Sequence, residues 1–507
     1  MRLVSRIAWK KTSQISSTKN FRTPGFIETI TSIIAQLFIY SKPQSLPAVS
    51  WYSTCMPTID QDRSPTDGEW YALLKPLIDA IGEPFERLMP PKRLLDGAFD
   101  DFVRSGYTAD PSLFPVIDDR EGLGLTRASL SKLHNMIVEQ EPSSQIRELY
   151  ASKIQELQLQ IDLVLAAGTH DKAKYHEANI SIYGMPDKDV FSAACDWVRR
   201  QAQQTGNVEV LTVIPEISHP VKAAFFPDQR TFDAVRVLHD SDSSYMKQLF
   251  GTAHLAGDTL FTPKNGDQLV RSAIKNIGSA YELIDSENGL WSVLHSRNAV
   301  ARPPGYDLNP EAFYGIVCHE VGSHLLESVR GAASGLRLLE SGLDRYECGN
   351  EGRAFLREQI QYQSMEEYVS RPPWHPMKAS WHYRVALHIV ISLATGVGGR
   401  QYGFADAFAV VMALFRMWNH KAQHPKEILV SGAWNLVVRA LKGTDGTGGA
   451  YHKDIVYLEG NIRCWQAAQD WPALILLGDR GKFDIANNRH VILLSELGIM
   501  PKTPSRH

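Results

Sequence analysis

The sequence predicts an α+β protein that is predominantly helical, with a small β-sheet and a helical region on its N-terminal side. Over most of the chain, apolar residues recur at the three- and four-residue spacing of amphipathic helices. Around residues 207–214 and 281–296 the pattern changes to that of strands. A chain of 507 residues, 44% hydrophobic and 21% charged, is long enough for one large core or two ordinary ones.

Residues 1–55 are predicted to form an N-terminal extension. Six basic residues and several serines and threonines precede the first acidic residue, Glu28, as in a mitochondrial transit peptide. The alternative is a disordered or incorrectly assigned N-terminus, with Met56 as the true start. The apolar run 26–40 is short and contains Glu28, so we expect no transmembrane span. The expected localisation is cytoplasmic or mitochondrial.

Residues 56–206 are predicted to form the N-terminal helical region. After Ser143, apolar residues recur at helical spacing until Gly168, and this face is more typical of a core than of a binding surface. A second helix is expected to begin after Pro186. Residues 207–507 would then form a second domain.

Three strands are predicted in that second domain. The first covers 208–214, and segments 281–286 and 290–296 are expected to form a hairpin joined through Asn288-Gly289. An edge strand at this place could hold an extended peptide by backbone hydrogen bonds. A small structural sheet explains the same pattern equally well.

Residues 309–328 predict a helix with a defined start. Asn309 suits the N-cap, Pro310 suits the first helical position, and Glu311 complements the positive end of the helix dipole. Because this helix contains two histidines and a neighbouring carboxylate, it is a candidate metal-binding helix.

The metal pattern is formed by His319, Glu320 and His324, which spell H-E-x-x-x-H. In the familiar H-E-x-x-H pattern the histidines lie one turn apart, whereas a step of five turns the second ring by about 140° on a regular helix. Both rings would face one ion if the helix widened into an i→i+5 bulge, or if it ended near His324. Gly322 makes either distortion easier.

A catalytic zinc site usually needs a third protein ligand and leaves one position for water. Glu351 is the best candidate for that ligand, and it lies in a segment that is predicted to begin a second helix across the first. Glu320 would then be the general base.

Beyond the H-E-x-x-x-H pattern, the chain contains Asn350-Glu351-Gly352-Arg353-Ala354. Together these motifs resemble the H-E-x-x-x-H and Q-E-G-L-A or E-E-G-L-A signatures of the QEGLA-motif family, which includes the microtubule-associated tyrosine carboxypeptidases. Further segments resemble the same family from about Glu69 onward, namely 149–169, 183–186, 433–439 with Gly443, and 453–460. The chain departs from the family at Arg353, where the family has leucine, and at Tyr451-His452, where it usually has Phe-Thr or Phe-Ser.

The resemblance implies a zincin-like metallopeptidase core in residues 207–507, with zinc held by His319, His324 and Glu351. It implies a carboxypeptidase that removes a C-terminal residue, of tyrosine type, from a protein or peptide with an acidic tail. The alternative is a metal-binding regulatory protein without turnover. The presence of Glu320 favours the enzyme, since a structural zinc site needs no base.

Arg439 and Lys453 are the predicted substrate-binding residues. A carboxypeptidase must recognise a free carboxylate, and a cation near the metal can do so by charge-assisted hydrogen bonds. The alternative is a structural salt bridge that involves Asp454.

Other candidate ligands and partners are weaker. His382 and His388 lie in a scaffold-type helix, and Cys318 is better explained as a small buried residue than as a ligand. The net charge of −3 gives no global attraction to nucleic acid, so none is expected as a partner. The five cysteines are dispersed and odd in number, which favours a reducing compartment.

Overall fold

The computed structural model describes residues 67–82, 84–216, 225–241, 249–250, 260–287, 289–370, 380–419, 424–472 and 474–501. The predicted extension 1–55, its apolar run 26–40 and Met56 lie outside these residues. The described residues belong to one compact unit, and the domain boundary predicted at residue 206 stays a prediction. Among the described helices, none is long and apolar enough to cross a membrane.

Most of the described chain is helical, as the sequence predicts. The helices are α1 (Asp67–Ile81), α2 (Pro84–Arg87), α3 (Lys92–Arg104), α4 (Arg120–Gln140), α5 (Ser144–Thr169), α6 (Lys172–Tyr183), α7 (Lys188–Thr205), α8 (Val208–Val213), α9 (Gln229–Ser241), α10 (Pro263–Asn276), α11 (Pro310–His319), α12 (Leu326–Ala332), α13 (Leu338–Ser341), α14 (Glu347–Gln359), α15 (Met365–Ser370), α16 (Trp381–Ala394), α17 (Phe404–Trp418), α18 (Lys426–Leu441), α19 (Val456–Asp470), α20 (Leu474–Leu477) and α21 (Asn488–Glu496). A π-helical segment, Glu320–Leu325, joins α11 to α12, and short 3₁₀ segments lie at His295–Arg297, His452–Ile455 and Gly478–Arg480.

Helices α5 and α7 confirm the predicted N-terminal helical elements. The Ser143 side chain caps α5 by accepting from the backbone N–H of Ile146. The helix ends at Thr169, one residue later than predicted. Its C-cap is His170 and not Gly168, and His170 adopts the left-handed conformation with φ 62°. Gly168 lies inside the helix, where a Cβ would meet the Ile117 side chain at 2.6 Å.

The strand predicted at 208–214 is wrong, since this segment forms helix α8. Asn207 caps the helix by accepting from the backbone N–H of Val210 at 2.9 Å, and Val210 is fully buried. At the other end, Arg199 donates to two carbonyl oxygens at 2.8 and 3.0 Å. Capping at both ends and burial therefore outweigh the strand preference of the β-branched residues.

The sheet has three short strands in the order β1-β3-β2. They are β1 (Glu282–Asp285), β2 (Ser292–Leu294) and β3 (Ala299–Arg302). The central strand β3 pairs in parallel with β1 and antiparallel with β2. Among the described residues, β2 pairs with β3 alone, so it is an edge strand of the sheet.

The predicted hairpin between 281–286 and 290–296 is wrong in its pairing, although both strands exist. After β2 the chain turns through His295–Arg297 and Asn298, which has φ 47°, and returns as a third strand between the other two. Residues 299–301 are at most 3% exposed. The most apolar strand therefore takes the central position, and the pair predicted to be neighbours is separated.

The core beside the sheet positions the metal-binding helix. One face of α11 packs its apolar side chains, Phe313 and Val317, against β3 and α10 in a cluster that also contains Val300 and Val270. All four side chains are at most 1% exposed. Burial of this face fixes the direction in which the opposite face of the helix points.

Helix α14 lies between α11 and α19 and approaches both very closely. A Cβ added at Gly315 on α11 would meet Glu358 at 3.0 Å, and one at Gly352 would meet the carbonyl oxygen of Gly460 on α19 at 2.2 Å. Glycine is therefore required at the α14–α19 crossing, because the obstacle there is backbone. The predicted second helix across the first is confirmed, and it begins at Glu347.

The long apolar faces of segments 379–395, 404–421 and 427–441 predict three scaffold helices, and these are confirmed as α16, α17 and α18. Their side chains are mostly buried, and Ser380 caps α16 by accepting from the backbone N–H of Tyr383. Predicted residues 379, 420 and 421 at the ends of these helices lie outside the described chain.

Candidate metal centre

The start of the metal-binding helix is as predicted. The side-chain oxygen of Asn309 accepts from the backbone N–H of Ala312 at 3.0 Å, and Pro310 occupies the first helical position. The helix runs without distortion to His319, the first residue of the H-E-x-x-x-H pattern.

Directly after His319 the helix widens into a π-turn, defined here as Glu320–Leu325. This confirms the i→i+5 bulge that the five-residue spacing predicts. The ring centroids of His319 and His324 lie 5.0 Å apart, with an angle of 73° between the ring planes. The widened turn therefore brings onto one side two rings that a regular helix would point in different directions.

Glu351 on α14 completes the group of three. One of its carboxylate oxygens, Oε2, lies 3.7 Å from Nε2 of His319 and 3.6 Å from Nε2 of His324. Ligands at 2.0–2.1 Å around a tetrahedral zinc ion are separated by about 3.3 Å, so the donor atoms have nearly the required spacing. Among the described residues, this is the group of His, Cys, Asp and Glu side chains whose geometry suits a metal ion.

The two histidines favour the ionised form of the Glu351 carboxyl group. Burial raises the pKa of Glu351, but the facing His324, followed by His319, more than offsets it and holds the pKa below its usual range. Burial lowers the pKa of His324, whereas Glu351 raises it, and the net shift is upward. Two imidazole nitrogens and one ionised carboxylate are a donor set that zinc accepts.

Glu320 lies next to the ligands and lines the same cavity. Burial raises its pKa, and the neighbouring His319 and His324 offset this only in part. A carboxylate beside a metal site is in a position to accept a proton from a metal-bound water.

A second carboxylate lies close to His319, on the Nδ1 side of its ring. Nδ1 of His319 lies 3.4 Å from Oε2 of Glu358, whose other oxygen accepts a hydrogen bond from the Tyr368 hydroxyl at 3.1 Å. Arg384 donates in turn to that hydroxyl at 2.9 Å. Sequence reasoning missed Glu358, although its position seven residues after Glu351 places both on one face of a helix.

The site opens into a cavity of about 850 Å³, called the central cavity below. Residues 290–293, at and before β2, form part of its wall, and Trp291, Trp381 and Tyr383 add aromatic surface. The edge strand predicted beside the metal-binding helix is thus present, although it is paired differently from the prediction.

Arg439 and Lys453 both line the central cavity, as the substrate-binding prediction requires. The predicted alternative also holds for Arg439, which donates to both carboxylate oxygens of Asp454 at 2.5 and 2.8 Å. Arg439 further donates to the Tyr457 hydroxyl at 3.1 Å. The salt bridge holds the guanidinium in one orientation at the cavity wall.

Sequence reasoning also missed a contact at the cavity wall between Lys482 and His295. Nζ of Lys482 lies 2.8 Å from Nε2 of His295. Since an ammonium group only donates, Nε2 accepts, and Nδ1 carries the proton towards the Tyr281 hydroxyl at 3.1 Å. Burial and then Lys482 lower the pKa of His295 to about 2. No local sequence pattern links positions 187 residues apart.

The remaining predicted residues lie as expected. Cys318 is fully buried and outside the group of three. His388 makes a hydrogen bond with Glu459 at 2.8 Å, which supports its structural interpretation. His382 lines the central cavity but is not part of the group of three.

Comparison of the chain with protein-family models, with curated proteins and with solved structures finds no match. The resemblance to the QEGLA-motif family therefore stays a prediction that rests on the quoted motifs.

Proposed function

We propose that this protein is a zinc-dependent metallopeptidase of the carboxypeptidase type and a member of the QEGLA-motif family. One observation supports the proposal above all others. A π-turn and a crossing helix bring His319, His324 and Glu351 together, with all donor atoms within 4.8 Å of one another. Glu320 stands beside this group in a cavity large enough for a peptide end.

The three ligands would hold the ion and leave a coordination position towards the cavity. When bound, zinc lowers the pKa of water to about 7 and polarises a carbonyl group. Glu320 would accept the proton of the attacking water and deliver it to the leaving nitrogen of the peptide. Its position at the cavity beside the group of three supports this role.

The substrate would be an extended peptide with a free C-terminal carboxylate. The edge strand β2 lies at the cavity wall, where its backbone would pair with such a peptide, and Lys453 and the ion-paired Arg439 would donate to its carboxylate. Removal of a tyrosine-type residue from an acidic tail rests on the family resemblance. The aromatic side chains of the cavity are compatible with a ring at that position.

The proposal is tested by metal analysis together with a peptide-cleavage assay. We expect about one zinc ion per chain and mass-spectrometric loss of one residue from peptides with a free C-terminus. The same peptides with an amidated C-terminus are the control and should remain uncut. A zinc-loaded wild type that cleaves neither set would contradict the enzyme and support the regulatory alternative.

A further inference from the structure

A buried arginine contacts the π-turn. Nη1 of Arg357 donates to the backbone carbonyl oxygen of Gly322 at 2.7 Å and lies 3.4 Å from the Ser323 hydroxyl. That hydroxyl donates in turn to the carbonyl oxygen of Cys318 at 3.0 Å. Since a π-turn replaces the usual i→i+4 hydrogen bonds, side-chain donors to its carbonyl oxygens stabilise a backbone form that is otherwise rare.

Arg357 belongs to α14, the helix that also contains the ligand Glu351. The carbonyl group that it contacts lies between the ligands His319 and His324. The guanidinium thus joins the helix that contains Glu351 to the turn that follows His319 and contains His324. Its contact fixes the distance between these elements without occupying the site itself.

The charge of Arg357 is held by a buried ion network. Arg357 is fully buried and donates to Asp479, which also accepts from Arg353 at 2.6 Å. Burial raises the pKa of Asp479, but Arg357 and Arg353 more than offset this, so its pKa lies below the usual range. Arg353 also forms an ion pair with Glu327, three residues after the last histidine of the pattern.

Such a network is not explained by stability alone. Replacement of buried ion pairs by apolar residues of similar size is often neutral or stabilising, so a gain in stability does not require these charges. An apolar side chain at position 357, however, could not donate to the Gly322 carbonyl. The hydrogen bond to the Gly322 carbonyl in the π-turn is therefore the feature of the network that an apolar core could not replace.

We propose that Arg357, held by Asp479, is a positioning residue that keeps the π-turn formed and thereby sets His324 against Glu351. The proposal rests on the proposed metal site and deepens it. Arg353, which stands where the resembled family has leucine, strengthens the same network by linking Asp479 to Glu327. Metal would then bind to a turn that is already shaped.

The test compares Arg357→Met, Arg357→Lys and Asp479→Asn with a matched control, Lys153→Met. The control also breaks a buried ion pair, between Lys153 and Glu156, whose side chains are 5% and 2% exposed. Zinc affinity is measured by competition with a chelator. Hydrogen exchange of the backbone amides in the π-turn is measured on metal-depleted protein, so this readout does not depend on zinc or on activity.

We expect Arg357→Met to weaken zinc binding by about 10- to 100-fold, the range seen when the groups that orient metal ligands are lost. Exchange within Glu320–Leu325 should become faster. The zinc affinities and exchange rates of Arg357→Lys and Asp479→Asn should lie between those of Arg357→Met and the wild type. The lysine keeps a cationic donor at position 357, and Asp479→Asn keeps the arginine itself. Lys153→Met should lower the unfolding temperature yet bind zinc like the wild type.

The proposal is overturned if the folded Arg357 and Asp479 variants keep both the zinc affinity and the π-turn exchange of the wild type. It is equally overturned if the control weakens zinc binding as much as they do, because the effect would then be general destabilisation. A wild type that binds no zinc would contradict the proposed function, while the exchange data would still decide whether Arg357 shapes the turn. If Arg357→Met does not fold, the lysine and Asp479→Asn variants decide.

Discussion

Nδ1 of His319 lies 3.4 Å from a carboxylate oxygen of Glu358, on the same helix face as the ligand Glu351. One helix thus carries both a proposed ligand and a carboxylate beside another proposed ligand. A carboxylate next to the second ring nitrogen of a metal-binding histidine orients the imidazole ring. The Tyr368 hydroxyl fixes the other oxygen of Glu358.

Glu358→Gln is therefore expected to weaken zinc binding by about 10- to 100-fold, because the neutral amide supports the ring less strongly. Chelator competition measures the change. Glu366→Gln, an exposed position on α15, is the matched control and should leave the affinity unchanged. An equal affinity for Glu358→Gln and the wild type would show that this carboxylate does not support the ligand.

Glu320→Gln is expected to keep the fold and the metal but to lose peptide cleavage. Glutamine has nearly the same shape and cannot accept the proton, and general acid–base catalysis contributes about 10²- to 10⁴-fold. Cleavage rates, zinc content and thermal unfolding are measured on the same preparation. A near wild-type rate in this variant would refute the proposed mechanism.

His324→Ala should remove bound zinc, and Glu351→Gln should weaken metal retention more than Glu320→Gln does. His324→Ala and Glu351→Gln each remove a proposed ligand, whereas Glu320→Gln removes only a neighbouring base. Metal analysis after dialysis against a weak chelator gives the order. Equal zinc in His324→Ala and the wild type, or equal losses in the two glutamate variants, would mean that the roles are wrongly assigned.

Gly352→Ala should destabilise the protein by about 1–3 kcal/mol, the usual effect of overpacking a core. Its Cβ would lie 2.2 Å from the carbonyl oxygen of Gly460, and backbone cannot move aside as a flexible side chain can. Gly124→Ala on α4 is the matched control, since a Cβ there meets nothing within 4 Å. It should stabilise the helix by up to about 1 kcal/mol. Chemical denaturation distinguishes the two, and equal effects would contradict the close crossing.

Asp344 should make the unfolding free energy depend on acid pH. Burial raises the pKa of this carboxyl, but the facing His490 and Arg489 more than offset it and hold the pKa at about 2, against about 3.9 in an unfolded chain. The unfolded state binds the proton first as the pH falls, so the stabilisation is complete above pH 4 and is lost towards pH 2.

Asp344→Asn removes this titration. The difference in unfolding free energy between the wild type and the variant should be about 2 kcal/mol at neutral pH and should shrink as the pH falls from about 4 to about 2. Urea denaturation at several pH values measures it. A difference that is constant over this range would mean that Asp344 is not held in its ionised form.

The elements that the sequence predicts best are those decided locally. Asn309 and Pro310 define a helix start by their own chemistry, and the five-residue spacing of the histidines allows a widened turn as one of two ways to aim both rings at one ion. These two features were predictable because each is fixed within a few residues. Glu351 lies on another helix, and it was expected near the histidines because a catalytic zinc site needs a third ligand.

The elements that were mispredicted depend on distant contacts. Helix α8 is decided by a cap and by Arg199 from the preceding helix, against the strand preference of its valines. The sheet order depends on β3, which lies between the other two strands, and no turn motif in the sequence indicates this third strand. Lys482 lies near the end of the chain but lines the cavity. Hydrophobic periodicity predicts local elements and cannot predict the contact between Lys482 and His295.

The π-turn can also be regarded as a helix with one residue too many. Deleting Gly322 would restore the shorter H-E-x-x-H spacing and a regular turn, which suggests a simpler site. Because the widened turn absorbs the extra residue, the side chains of α12 beyond it keep about the headings that a regular turn would give them. Glu327 would therefore still face Arg353, and the buried ion pair between them would remain. The effect of the extra residue is thus confined to the turn between the two histidines, where Arg357 contacts the Gly322 carbonyl.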